Sequence, residues 1–139
     1  MTRTQAFPIT KLRGLTAPIR AALKRQRITT CEQLLRAAGR AEDRTRLARQ
    51  ARVDPAALLA LVQQADLARV DGIGTVFGMM LEELGVGDVA TLAGQEPEHL
   101  HAQLRRYNRE ERVARRSPTP EEVESWVEQA RKLPPLIGY

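Results

Sequence analysis

Apolar residues along this chain recur three and four positions apart, and nowhere alternate in the two-residue rhythm of a strand. Leu58, Leu61, Val62 and Ala65 stand at i, i+3, i+4 and i+7, which lays one stripe along a helix against a core. Ile19, Ala22 and Leu23 after Pro18, Leu34 with Leu35, and Leu47, Ala48 and Ala51 mark three further helices upstream. Polar punctuation sets the ends. Thr29 and Thr30 precede Glu32 and Gln33 by three residues, the spacing of a capping box. Asp54-Pro55 and Thr119-Pro120 each pair a capping side chain with a proline whose missing N–H does not matter in a first turn, and Glu122 completes a box with Thr119. Gly39 is placed to end the short helix of Leu34 and Leu35. Downstream the same pattern predicts helices near 75–84, 88–94, 97–107 and 120–132. The expected fold class is all-α.

The pattern also repeats. Shifted by 58, Leu12-Arg13-Gly14-Leu15-Thr16 falls on Val70-Asp71-Gly72-Ile73-Gly74, and Leu23, Ile28 and Leu34 fall on Leu81, Val86 and Leu92. With the shift grown to 65, Leu58, Leu61, Val62 and Ala65 meet Val123, Trp126, Val127 and Ala130. Apolar class survives at core positions while the surface drifts, the mark of a duplicated unit. The chain therefore reads as one compact domain over 1–139, with repeat one at 9–69, repeat two at 70–133 and a tail at 134–139.

Charge changes the picture. The 139 residues carry a net +5 and a pI of about 10.1, yet residues 1–69 alone sum to +9 and residues 70–139 to −4. No Lys or Arg occurs between 70 and 104, after which Arg105, Arg106, Arg109, Arg112, Arg115 and Arg116 follow within twelve residues. Segregation of this kind suits one face meeting a polyanion. Two courses are open to the arginine stretch: a mobile basic loop, or internal pairing with the acidic surface of 82–98, the latter slightly favoured. GC-rich coding is an equal explanation for the predominance of arginine over lysine.

Other chemistry is sparse. Cys31 is the one cysteine, so no internal disulfide or multi-cysteine zinc site is expected, and the thiol reads as a bystander. His99 and His101 fall on different helical faces without further ligands. Glu82-Glu83 and Glu110-Glu111 are adjacent pairs that point apart, unlike a metal-binding nuclease cluster. Gly72, Gly74 and Gly78 miss dinucleotide-binding spacing. Phe77 and Trp126 read as core. No catalytic constellation, metal or cofactor is expected. With no apolar run near 18 residues and no leader-like core in Met1–Pro8, the expectation is a cytoplasmic protein without a membrane partner. Aromatics are too few at 4% for base-stacking platforms, which favours duplex over single strands.

Two glycine-bearing turns carry the functional signal. A tight turn that opens a helix leaves backbone N–H groups unpaired, and these cradle a phosphate oxygen without regard to the base. On Val70-Asp71-Gly72-Ile73-Gly74, Leu84-Gly85-Val86 followed by Leu92, the Pro97/Leu100/Leu104 helix, and Trp126-Val127-Glu128-Gln129-Ala130, the chain resembles the helix-hairpin-helix superfamily. More closely, it is similar to a bacterial family of tandem helix-hairpin-helix domains of unknown function, over about Ile9 to Leu133. The resemblance implies non-sequence-specific binding of DNA backbone. There are departures: Thr16 replaces the second glycine of the first turn, and Asp71 sits inside the second, where a carboxylate repels phosphate. The first turn has the better charge, with Arg13 in it and Arg20, Lys24 and Arg27 spaced as one helical stripe after it. Candidate nucleic-acid contacts are thus Arg13, Gly14, Thr16, Arg20, Lys24, Arg27, Gly72 and Gly74. The alternatives are a protein-interaction scaffold whose turns are idle, or self-association of the basic half with the acidic half.

Overall fold

A computed structural model describes residues 7–139. Among them are eight α-helices and no strand. The first six residues, part of the stretch read above for a leader, lie outside the described residues. The helices are α1 (Ala17–Arg25), α2 (Cys31–Ala38), α3 (Ala41–Ala51), α4 (Pro55–Leu67), α5 (Gly74–Glu83), α6 (Val89–Ala93), α7 (Pro97–Glu111) and α8 (Pro120–Lys132), with a 3-10 turn at Ile9–Lys11. The all-α expectation holds, and most boundaries fall within two residues of the sequence reading. α7 is the exception, running four residues past the expected end.

The chain divides into two compact units: residues 7–66 with 136–139, and residues 67–135. The first unit buries Leu23, Leu34, Leu58, Leu61 and Val62 to 1% exposure or less, with Ile9, Ile28, Leu47 and Val53 around them. Two of its helix starts are capped as the sequence predicts. Thr30 accepts from the Gln33 N–H while the Gln33 carboxamide accepts from the Thr30 N–H, and Asp54 accepts from the Ala57 N–H at 3.0 Å.

The C-terminal residues form a strap on this same unit. Gly138 donates its N–H to the Gly39 carbonyl at 2.8 Å, and Ile137 packs against the core. Arg44 ties the two together, donating to the Gly39 carbonyl at 3.0 Å and the Gly138 carbonyl at 2.9 Å. Gln63 donates to the Tyr139 hydroxyl at 3.0 Å. Gly39 does cap α2, but with φ of −68°. Its value here is its missing side chain, because a Cβ would collide with the Leu136 carbonyl.

The second unit centres on Trp126, 1% exposed and the largest buried side chain, with Leu81, Leu92, Leu100, Leu104, Val123 and Val127. α8 packs on both α6 and α7. Phe77 lies against Trp126 with ring centroids 5.6 Å apart, and Arg116 covers Phe77 at 5.4 Å. Both aromatics belong to the core side, as their spacing implied. α8 begins with the expected capping box of Thr119 and Glu122.

Candidate phosphate-facing turns

The two glycine turns share one construction, repeated once in each unit. In the first, the Gln64 side chain reaches back from α4 to the turn: its oxygen accepts from the Arg13 N–H at 2.8 Å and its nitrogen donates to the Arg13 carbonyl at 2.9 Å. In the second, Gln129 of α8 does the same to Asp71, at 2.8 Å and 3.1 Å. The carboxamide stands in for a strand partner, pairing both backbone groups of the residue before the glycine. Arg13 and Asp71 are 58 apart, and Gln64 and Gln129 are 65 apart, the same two shifts that align the sequence. Sequence reasoning named Gln129 only as part of a family landmark and Gln64 not at all. Their signal was available as a polar identity inside an otherwise apolar alignment.

The following glycines hold left-handed backbone, Gly14 at φ +82° and Gly72 at +94°, which a residue with a Cβ adopts only under strain. A Cβ at Gly72 would stand 3.4 Å from the Trp126 indole nitrogen, so the second turn also rests directly on its core.

Beyond the glycine the two turns part company. Thr16 accepts from the Ile19 N–H at 3.4 Å and thereby caps its own helix. Pro18, within that first turn, has no N–H to offer. The first turn therefore presents few open backbone donors. At the matching position of the second, Gly74 has φ +71°, and α5 begins without a side-chain cap. The charges run the opposite way. Arg20, Lys24, Arg25 and Arg27 are all exposed, and none of the ion pairs among the described residues involves them. The predicted stripe is shortened: α1 ends at Arg25, so Arg20 and Lys24 share a helical face while Arg27 leaves in a left-handed conformation at φ +63°. Elsewhere in this unit Arg36, Arg40 and Arg46 face Glu32, Glu42 and Asp43. Asp71 is exposed at the mouth of the second turn.

The arginine stretch takes neither of its expected courses. Arg105, Arg106 and Arg109 lie on the exposed side of α7. The segment after it is drawn in by buried Asn108, whose carbonyl oxygen accepts from the Ala114 N–H at 2.9 Å. Arg116 pairs with Glu122 of α8 rather than with 82–98, through two bonds of 2.7 and 2.9 Å. Those bonds and the Thr119 N–H hold the Glu122 carboxyl at about 2, well below its ordinary range. Cys31 is buried beside the Pro8 carbonyl. No group of three metal-ligating side chains occurs among the described residues, and no helix among them is long and apolar enough to cross a membrane.

A family model described as Domain of unknown function (DUF4332) matches residues 13–133. No curated protein and no solved structure was found to match the chain. The matched span includes both glycine turns and both clamping glutamines.

Proposed function

We propose that this chain, which belongs to the DUF4332 family, is a tandem helix-hairpin-helix protein that binds the backbone of duplex DNA without reading sequence, and that its first unit makes the contact. The observation that carries this reading is the exposed set Arg20, Lys24, Arg25 and Arg27, outside every ion pair among the described residues and adjoining a glycine turn braced by Gln64. A cation left without a carboxylate is at hand for an anion, and solvent-exposed arginine and lysine neutralise phosphate with release of counterions. Thr16 and Pro18 leave few backbone donors in this turn, so side-chain charge supplies most of the attraction. Such contacts position a protein on DNA and carry no base information.

A salt titration of duplex binding tests the reading. Affinity is expected to fall steeply with salt, at a log–log slope near −0.9 for each phosphate neutralised, and to be indifferent to sequence. Replacing Arg20 and Lys24 together by alanine is expected to flatten the slope by roughly two units. Gly74→Ala, by contrast, is expected to act through backbone strain and stability. Absence of binding by the unaltered chain at low salt overturns the proposal.

A protein-interaction role is the second reading, favoured by one feature of the second unit. Its turn keeps the second glycine that the first turn lacks, but Asp71 stands at its mouth and Val76, 43% exposed, lies two residues beyond Gly74. An acidic, partly apolar rim fits a basic protein surface better than a phosphate.

A further inference from the structure

Helices α1 and α5, with the turns that open them, occupy matching places under the shift of 58, and that shift relates their surfaces as well as their cores. Buried Ala22 and Leu23 of α1 fall on buried Met80 and Leu81 of α5. Away from that seam, Ala17, Pro18, Ala21, Lys24 and Arg25 form one exposed stripe of α1 at i, i+1, i+4, i+7 and i+8. Their counterparts on α5 are Thr75, Val76, Met79, Glu82 and Glu83, with Met79 and Glu82 half-buried and the rest exposed. Charge is kept along the stripe and reversed. Residues 71–86 contain three carboxylates, Asp71, Glu82 and Glu83, and each stands where the first copy of the pattern has a cation: Arg13, Lys24 and Arg25. A solvated face that merely drifts loses charge at some positions and gains it at others, whereas reversal at every carboxylate preserves a pattern. Each face thus carries like charges at both ends and uncharged residues between them, so the two match in either direction of approach. Their centres differ in size. Ala17, Pro18 and Ala21 are small, while Val76, 43% exposed, is the one large apolar side chain left open in the second unit among the described residues.

We propose that the α5 face is a docking surface for a second copy of this chain, which presents its α1 face to it. Val76 and Met79 of one copy seat against Ala17, Pro18 and Ala21 of the other, whose small side chains let the helices approach closely. Carboxylates at both ends of the acidic face meet cations at both ends of the basic one, and such complementarity steers and registers an encounter. Each face lies within one compact unit. The contact joins unlike faces, so association is head-to-tail. The inference does not rest on DNA binding; it extends the protein-interaction reading by naming the basic surface that the acidic rim receives. Lys24 and Arg25 serve either partner, so a duplex and a second copy exclude each other at α1.

Sedimentation of the full chain, freed of nucleic acid, tests this across a range of concentration and salt. Mass is expected to rise with concentration at low salt and to return to the monomer at high salt, because salt screens exposed charges. K24E with R25E turns the helical charges of the α1 face acidic, and E82K with E83K turns those of the α5 face basic. Each double variant is expected to weaken association by at least about tenfold, since like charges then oppose one another. An equal mixture of the two is expected to recover it, because the reversed α1 of one variant meets the reversed α5 of the other. Should E82K with E83K fail to fold, E83K alone, at an exposed position, is mixed with R25E in the same way. A reversal variant that associates like the unaltered chain overturns the proposal, as does a mixture of folded variants that does not recover. An unaltered chain that stays monomeric at low salt overturns the docking of a second copy, and leaves the acidic rim of the protein-interaction reading to some other basic partner.

Discussion

At the residue scale, the two clamping glutamines and Trp126 decide how well the turns are held. Removing either carboxamide leaves a backbone N–H and a carbonyl without their partners, a loss of about 1–2 kcal/mol. Gln64 works in a part-buried setting and Gln129 in an exposed one, where water replaces the lost bonds. Gln64→Leu is therefore expected to destabilise more than Gln129→Leu in parallel denaturant titrations, and equal losses contradict the difference in setting. Trp126→Ala is expected to lose about 3–5 kcal/mol, because the indole fills the second core and supports both Phe77 and the Gly72 turn. A loss below about 1 kcal/mol, the range of surface changes, contradicts that placement. Glu122 sets a pH dependence. Its folded-state carboxyl titrates near 2 against an ordinary value near 4.3 in an unfolded chain, so its contribution is present above about 4.3 and is lost as pH falls from there toward 2. Acid unfolding of Glu122→Gln is expected to show a shallower decline across that window, measured as melting temperature against pH.

At the scale of the element, the helices were legible because each carries its own evidence: an apolar stripe, a capping side chain, a proline in a first turn. Thr30, Asp54 and Thr119 were all identifiable from neighbours within three residues. What escaped was set by partners far along the chain. Gly39 reads as a helix terminator, yet its smallness answers to Leu136, 97 residues away. The arginine stretch reads as a mobile loop or as a segment paired with 82–98, yet α7 continues to Glu111 and Asn108 gathers the segment beyond. The candidate site was legible in its residue types and less so in its geometry. Nothing local in Arg20, Lys24 and Arg27 reveals that the helix stops before the third of them. Nor does the Thr16 substitution announce by itself that its hydroxyl will cap the helix that a phosphate was expected to meet.

At the scale of the whole molecule, connectivity governs. α4 begins in the first unit, and the division falls at its last residue, Leu67. The strap then returns residues 136–139 to the first unit after the second is complete. A chain that crosses the division twice favours joint unfolding. We expect one calorimetric transition for the full chain, and two well-separated melts contradict this. Deleting residues 136–139 is expected to lower stability by about 2 kcal/mol, from the loss of the Gly138, Arg44 and Tyr139 bonds and the burial of Ile137. A melting temperature unchanged by the deletion would show the strap to be dispensable.

The strap has a consequence for synthesis on the ribosome. A chain leaves the exit tunnel from its N-terminus, and domains ordinarily fold in that order. Here residues 7–66 emerge first, but the pieces that close over Gly39 and Gln63 are made 69 residues later, after every residue of the second unit. The basic unit thus lacks its strap until its acidic companion has been translated, and a chain interrupted anywhere before residue 136 is without the Ile137 packing and the Gly138 and Tyr139 bonds. Closure of the first unit by residues 136–139 is written into the order of the sequence.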